Sequence, residues 1–103
     1  MLNINKTIEN GEAVFVLKGR LDTNTAPELD NALLSSLNGV KTLTLNTKEL
    51  DYISSAGLRV LLSAKKIMNK QQGEMKVINV NATIREIFDV TGLLDILDVR
   101  EAD

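Results

Sequence analysis

The dipeptide Asn10-Gly11 is the feature that most constrains the fold of this chain. Apolar residues recur with period two on both sides of it, at Leu2, Ile4 and Ile8 and at Ala13, Phe15 and Leu17. Asn and Gly both tolerate positive φ, so this pair between alternating segments predicts a β-hairpin. Val14 and Val16 also make the second strand apolar on its other face, which predicts a strand covered from above and below.

The segment after the hairpin carries the start, the apolar stripe and the stop of a helix. Residues 19–24 predict a loop, and Thr25 followed by Glu28 matches a capping box. Leucines then recur at every fourth position, at Leu29, Leu33 and Leu37. Asn38-Gly39 supplies a left-handed stop, so these signals together predict a helix that buries one leucine stripe.

Two further strand and helix patterns follow. Residues 41–46 alternate and predict a third strand, and the branched side chains of residues 75–80 predict a fourth. Between them, an apolar stripe after Ser54-Ser55-Ala56-Gly57 predicts a second helix that closes at Gly73. Asn81 is predicted to cap a third helix that ends at Thr91-Gly92. Residues 93–99 are apolar enough to pack but show no clear helix or strand pattern.

This order of elements predicts an α/β fold. We expect a single domain over residues 1–103, with a mixed, mostly parallel sheet of four to five strands, an N-terminal β-hairpin and crossover helices. A hydrophobic content of 44% over 103 residues is enough for one core. Loops that follow parallel strands gather at the carboxyl edge of a sheet, where residues 20–24 and 51–57 are predicted to meet.

Composition excludes several classes of function. The chain has no His and no Cys, so catalytic triads, thiol redox pairs and zinc sites built on His or Cys are ruled out. The formal charge of −2 does not match the basic footprint of a nucleic-acid-binding protein. The N-terminal residues lack a signal-peptide pattern, and no apolar run reaches membrane-spanning length. We therefore expect a cytoplasmic protein that binds no membrane and no cofactor.

The turn before the second helix is the candidate functional site. Ser54 and Ser55 lie at a predicted helix N-terminus, where free N–H groups and the helix dipole favour an anion. A phosphoryl group there would add about −1.5 to −2 charges at one exposed point. The alternative from residue type alone is that either serine only caps the helix, since serine is among the commonest N-cap residues.

Three sequence segments together resemble the STAS domains, a family named for sulfate transporters and anti-sigma factor antagonists. They are the Asn10-Gly11 hairpin, Gly19-Arg20-Leu21-Asp22, and the stretch from Asp51-Tyr52-Ile53-Ser54-Ser55-Ala56-Gly57-Leu58 to Leu62. The resemblance covers the whole chain and is greatest to stand-alone bacterial antagonists. It implies a non-enzymatic protein that binds an anti-sigma factor serine/threonine kinase when unphosphorylated, and so releases a sigma factor.

The resemblance also implies roles for individual residues. Counting back from Gly57-Leu58, the phosphorylated serine of the family falls on Ser55, and Ser54 stays open as the alternative. A PP2C-type phosphatase is the implied partner that removes the phosphate. The partner-binding residues implied are Asp22, Thr23, Ser54, Ser55, Ala56, Gly57, Leu58, Arg59 and Leu62.

The chain departs from the family pattern at two positions. Ser54 and Asn46 stand where many antagonists carry Asp, and each departure removes a negative charge near the predicted acceptor. Asp22 has two open roles, because an Asp in such a turn accepts backbone N–H bonds, whereas a functional Asp would help to place a kinase-bound nucleotide or meet a partner's cation.

Surface roles are also open for several other residues. Arg20 is expected to be a solvated loop cation, with contact to an acidic partner as its alternative role. Tyr52 is expected to cap the core rather than to contact a ligand. Leu58 and Leu62 are open between core and interface. The second helix carries a polar stripe that is expected to be exposed, and the resemblance implies that the first turns of this helix form the docking face. The stripe comprises Arg59, Ser63, Lys66 and Lys70.

Two other functions remain as alternatives. Asp22 and Asp51, beside the two serines, suggest a small phosphate- or nucleotide-binding domain. A STAS scaffold or transport accessory that binds its partner regardless of phosphorylation is the other.

Overall fold

A computed structural model describes residues 1–101, which form five strands, three α-helices and one short 3-10 helix. The elements in chain order are β1 (Leu2–Glu9), β2 (Glu12–Leu21), α1 (Ala26–Ser36), β3 (Thr42–Ile53), α2 (Ser55–Lys70), β4 (Glu74–Val80), α3 (Ala82–Val90), the 3-10 helix (Leu93–Asp95) and β5 (Asp98–Glu101). The predicted α/β class is confirmed. The predicted domain ends at residue 103 and so extends past the described residues.

The five strands form one sheet in the order β1-β2-β3-β4-β5. β1 and β2 pair antiparallel through the predicted hairpin, in which Asn10 and Gly11 have φ of 53° and 80°. All other neighbouring strands pair parallel. The mixed, mostly parallel sheet is therefore confirmed, and β5 makes it five-stranded.

The helices cover only one face of the sheet. In β2, Ala13, Phe15 and Leu17 are fully buried, whereas Val14 is 37% exposed and Val16 is half-buried. The prediction that this strand is covered on both faces is therefore wrong. The parallel strands β2, β3, β4 and β5 lie side by side in chain order. Connections between such strands are right-handed as a rule, so the connecting helices all lie on the same face of the sheet.

Strand β3 is longer than predicted, and this changes the context of the candidate site. It runs on from Asn46 to Ile53, past register shifts between Val16 and Lys18 and between Gly19 and Arg20 of β2. These shifts break the simple alternation of apolar residues that predicted an end at Asn46. Residues 51–53 and 20–21 therefore lie in strands rather than in loops.

The helix signals are confirmed in part. Asn81 caps α3 by accepting a hydrogen bond of 2.9 Å from the backbone N–H of Ile84. The capping box predicted at Thr25 is absent, because the Thr25 hydroxyl donates to the Arg20 carbonyl and accepts from the backbone N–H of Asp22. The helix α2 ends at Lys70, before the positive φ at Gln72 and not at Gly73.

The core lies between the sheet and the helices. Large fully buried side chains come from both layers, among them Phe15, Leu17, Leu29, Leu33, Leu43, Leu45, Leu61 and Phe88. No helix within residues 1–101 has the length and apolar character needed to cross a bilayer. Leu58, in the first turn of α2, belongs to this core.

Candidate functional site

The two predicted loops meet at the carboxyl edge of the sheet. Leu21 at the end of β2 pairs with Ile53 at the end of β3, and the backbone N–H of Ser54 donates to the Leu21 carbonyl at 2.8 Å. This bond extends the strand pairing by one residue before α2 begins. It places the Asp22 turn beside the turn that holds Ser54 and Ser55.

The two serines have different surroundings. Ser54 is half-buried and is the N-cap of α2, since its hydroxyl accepts a hydrogen bond of 3.4 Å from the backbone N–H of Gly57. Ser55 is exposed and is the first residue of the helix. Its hydroxyl has no hydrogen-bond partner within residues 1–101. Ser54 therefore supports the helix, and the Ser55 hydroxyl is open to another molecule.

Gly57 allows α2 to pack closely against the sheet. A Cβ at this position would lie 2.7 Å from Leu21 Cγ and 2.9 Å from Ile53 Cγ1. Leu58, the next residue, is only 7% exposed and belongs to the core, while Leu62 is half-buried. Gly57 and Leu58 therefore set the position of the turn and offer little surface for a partner to contact.

The other members of the predicted binding set divide by exposure. Thr23, Ser55 and Arg59 are exposed, whereas Asp22, Ser54 and Ala56 are half-buried. The polar stripe on α2 is exposed along its length, as expected, at Arg59, Ser63, Lys66 and Lys70. The accessible polar groups at this edge thus come from the Asp22 turn and from one face of α2.

Asp22 builds the turn that follows β2. Its Oδ1 accepts hydrogen bonds from the backbone N–H groups of Asn24 at 3.0 Å and Thr25 at 3.1 Å. It also lies 3.2 Å from the Thr25 hydroxyl, whose one proton it shares with the Arg20 carbonyl. Partial burial opposes the charged form, but these hydrogen bonds and the Arg20 guanidinium outweigh it and hold the pKa of Asp22 below its ordinary value. These contacts give Asp22 a structural role.

Arg20 and Tyr52 form a contact that the sequence analysis missed. They face each other across β2 and β3, and the Arg20 guanidinium carbon lies 4.5 Å from the centroid of the Tyr52 ring. Arg20 also pairs with Asp22 at 3.7 Å. Tyr52 is 37% exposed, so the expectation that it caps the core is wrong. The parallel pairing of β2 and β3 brings the two residues together, and no local sequence pattern predicts that pairing.

Asn46 and Asp51 are the other two residues that the sequence analysis relates to the serines, and both lie in β3. Asn46 lies within β3, where its Oδ1 accepts from the backbone N–H of Lys48 and from the Asn79 side chain, both at 3.1 Å. Asp51 is an exposed residue of β3. Within residues 1–101, no group of three or more acidic side chains is placed to hold a metal ion.

Two known proteins are similar to this chain in sequence over most of its length. BtrV of Bordetella bronchiseptica, to which the role of anti-sigma factor antagonist is assigned, is 34% identical over 91 residues, or 87% of this chain and 78% of BtrV. The anti-sigma-B factor antagonist of Staphylococcus aureus is 30% identical over 101 residues, or 97% of this chain and 94% of that protein.

Solved structures show the same fold. The anti-sigma factor antagonist SpoIIAA in its unphosphorylated form has a TM-score of 0.76 at 17% identity, covering 100% of this chain and 90% of that one. The phosphorylated form of SpoIIAA, from Bacillus, has a TM-score of 0.74 at 19% identity, covering 96% and 90%. The family description for the STAS domain matches residues 3–102. The chain belongs to the STAS domain family.

Proposed function

We propose that this chain is an anti-sigma factor antagonist whose binding is switched by phosphorylation of Ser55. In its unmodified form it binds an anti-sigma factor that is also a serine/threonine kinase, and so frees a sigma factor. A PP2C-type phosphatase returns the modified protein to the binding form. The proposed setting is the cytoplasm, and the chain itself catalyses no reaction.

The different surroundings of the two adjacent serines carry this proposal. The Ser54 hydroxyl is half-buried and engaged with Gly57, whereas the Ser55 hydroxyl is exposed and free within residues 1–101. A kinase must reach its acceptor oxygen and align it with the γ-phosphate, so the exposed hydroxyl is the better substrate. Ser54 therefore acts as the cap, and Ser55 as the acceptor.

The transfer needs no catalytic group from this chain. The Ser55 oxygen forms a bond to the γ-phosphorus of ATP as the bond to the ADP oxygen breaks, and the serine proton passes to a base of the kinase. The kinase supplies the metal ion, the nucleotide and the alignment. This division of labour suits a chain that contains no His and no Cys.

A phosphate on Ser55 changes the edge at which docking is proposed. It adds about −1.5 to −2 charges and three acceptor oxygens at the start of α2. The free N–H groups and the positive end of the helix dipole stabilise this charge within the chain. A partner surface that fits a neutral hydroxyl must instead accommodate a solvated dianion, so the complex dissociates.

The proposal is tested with the anti-sigma kinase that works with this chain, by using the Ser54→Ala and Ser55→Ala variants in parallel. We expect phosphate on wild type and Ser54→Ala in the presence of ATP, mapped by mass spectrometry, and none on Ser55→Ala. In ADP, all three proteins should bind the kinase. Phosphate on Ser54, or binding that is unchanged by stoichiometric phosphorylation of Ser55, would contradict the proposal.

The nucleotide-binding alternative has less support. Oδ1 of Asp22 already accepts two backbone hydrogen bonds within its own turn, and Asp22 also pairs with Arg20. Calorimetry of the isolated chain with ATP and magnesium measures this alternative directly. Tight binding without the kinase would favour it over the switch.

A further inference from the structure

Arg59 lies one helical turn after Ser55 on the same face of α2. Both residues are exposed, and α2 is a regular helix over Ser55–Lys70. Residues at i and i+4 in a helix have Cβ atoms about 5–6 Å apart. Long side chains in helices also lean toward the N-terminus, so an arginine at this position can reach the turn that contains Ser55.

Arg59 differs from the other arginines in its lack of a counter-ion. The chain has four arginines, and Arg20, Arg85 and Arg100 each pair with a carboxylate, at 3.7, 2.8 and 3.2 Å. Arg59 pairs with no carboxylate of residues 1–101. Its guanidinium is therefore available to a new anion.

The start of α2 carries no negative charge of its own. The first turn contains no acidic residue, although helices are stabilised by Asp or Glu at this position. The helix dipole and Arg59 thus both present positive charge near the Ser55 hydroxyl. An anion N-terminal to a cation at i+4 is also the more favourable order for a helix pair.

We propose that Arg59 binds the phosphate on Ser55 within the same chain. This inference rests on the proposed function, because it concerns the phosphorylated form. Arginine matches phosphate oxygens with a planar pair of donors, which makes it well suited to this contact. Phosphorylation then changes the surface twice, since it adds a dianion and also withdraws Arg59 from contact with a partner.

The test uses the isolated chain with phosphoserine incorporated genetically at position 55, so no kinase is needed. The titration of the phosphate is followed by 31P NMR in wild type, Arg59→Gln and Lys66→Gln. Lys66 is a matched control, because it is exposed on the same stripe and loses the same charge. Lys66 lies about 16 Å from Ser55 along the helix axis, which is too far for direct contact with the phosphate.

Arg59→Gln should raise the titration midpoint of the phosphate by about 0.3 pH unit, because the dianion loses a charge-assisted partner. Lys66→Gln should raise it much less, and 1 M salt should remove most of the difference between wild type and Arg59→Gln. Arg59→Lys should keep part of the effect, since it keeps the charge without the planar donors.

Equal midpoints in Arg59→Gln and Lys66→Gln would overturn the inference, because they would leave only a general charge effect. Circular dichroism of each variant checks that α2 is intact. A failure of the proposed function would be detected in a different experiment, in which the unmodified chain is mixed with its kinase. The two ideas can therefore fail separately.

Discussion

The backbone N–H of Ser54 donates a hydrogen bond of 2.8 Å to the carbonyl oxygen of Leu21. This bond joins the two turns that follow β2 and β3, because Leu21 directly precedes Asp22 and Ser54 directly precedes the proposed acceptor. The position of Ser55 therefore depends on the cap at Ser54, the packing at Gly57 and the turn built by Asp22. Each contribution can be measured by itself.

Ser54→Ala should lower the free energy of unfolding by about 0.5–1 kcal/mol, because it removes the side-chain cap from the backbone N–H of Gly57. The capping bond is long at 3.4 Å, which places the effect at the lower end for N-caps. Ser55→Ala should change stability by less than about 0.5 kcal/mol, since Ser55 is exposed. Urea unfolding measures both; a reversed order would show that Ser55 supplies the cap.

Gly57→Ala should destabilise the protein by about 1–3 kcal/mol through overpacking. The new methyl group would lie 2.7 Å from Cγ of Leu21, a fully buried side chain. In an open helix position the same change stabilises by about 0.5–1 kcal/mol. The sign of the effect therefore tests the close approach.

Ser63→Ala provides the control for this measurement, because Ser63 is an exposed residue in the middle of the same helix. Its stability should change by no more than about 0.5 kcal/mol. Thermal or urea unfolding of the two variants gives the comparison. A Gly57→Ala protein more stable than wild type would mean that α2 does not pack against β2 as described.

Local signals predicted much of this fold. Asn10-Gly11 and Asn81 specify a hairpin and a cap through the conformations of a few neighbouring residues, and both are confirmed. Contacts between residues far apart in the sequence were harder to predict from such local signals. The extension of β3 to Ile53 depends on register shifts against β2, and the exposure of Val14 depends on which face the helices cover.

The candidate site shows the same limit. The helix-start pattern predicted that Ser54 and Ser55 lie at the N-terminus of α2, but the assignment of one as cap depends on the backbone geometry around Gly57. Thr25 matched a capping box and instead bonds to Arg20, which the residue pattern does not encode. Spacing identifies candidate residues, and tertiary contacts decide between their roles.

The turn built by Asp22 should make stability depend on pH in the acid range. Its pKa is held below the ordinary value of 3.8, so the carboxylate contributes stability that is complete above that value and is lost as pH falls through the native pKa. Asp22→Asn should therefore be less stable than wild type at neutral pH. The difference between the two should shrink below pH 3.8.

Urea unfolding at a series of pH values measures this effect. Asp51→Asn is the matched control, because it removes the same charge from an exposed residue of β3 at the same edge of the sheet. If the difference in unfolding free energy between wild type and Asp22→Asn stayed constant across the acid range, this would contradict the role of the charged carboxylate.

The stacking of Arg20 on Tyr52 should give a measurable coupling energy. The guanidinium carbon lies 4.5 Å from the ring centroid at a partly exposed site, where such a pair contributes about 0.5–1 kcal/mol. A double-mutant cycle of Arg20→Gln and Tyr52→Leu isolates this contribution. Because Arg20 also pairs with Asp22, the cycle is repeated in the Asp22→Asn background, where the coupling to Tyr52 should persist.

A second cycle with Lys18→Gln and Tyr52→Leu is the control for this pair. Lys18 is an exposed cation of the same strand that pairs with Glu49 at 3.7 Å, so its coupling to Tyr52 should be close to zero. If the two cycles give equal coupling, the Arg20 effect is a general charge effect and the stacking contributes nothing. If only the Arg20 cycle gives coupling, the contact holds the exposed ends of β2 and β3 together beside the Ser54 and Ser55 turn.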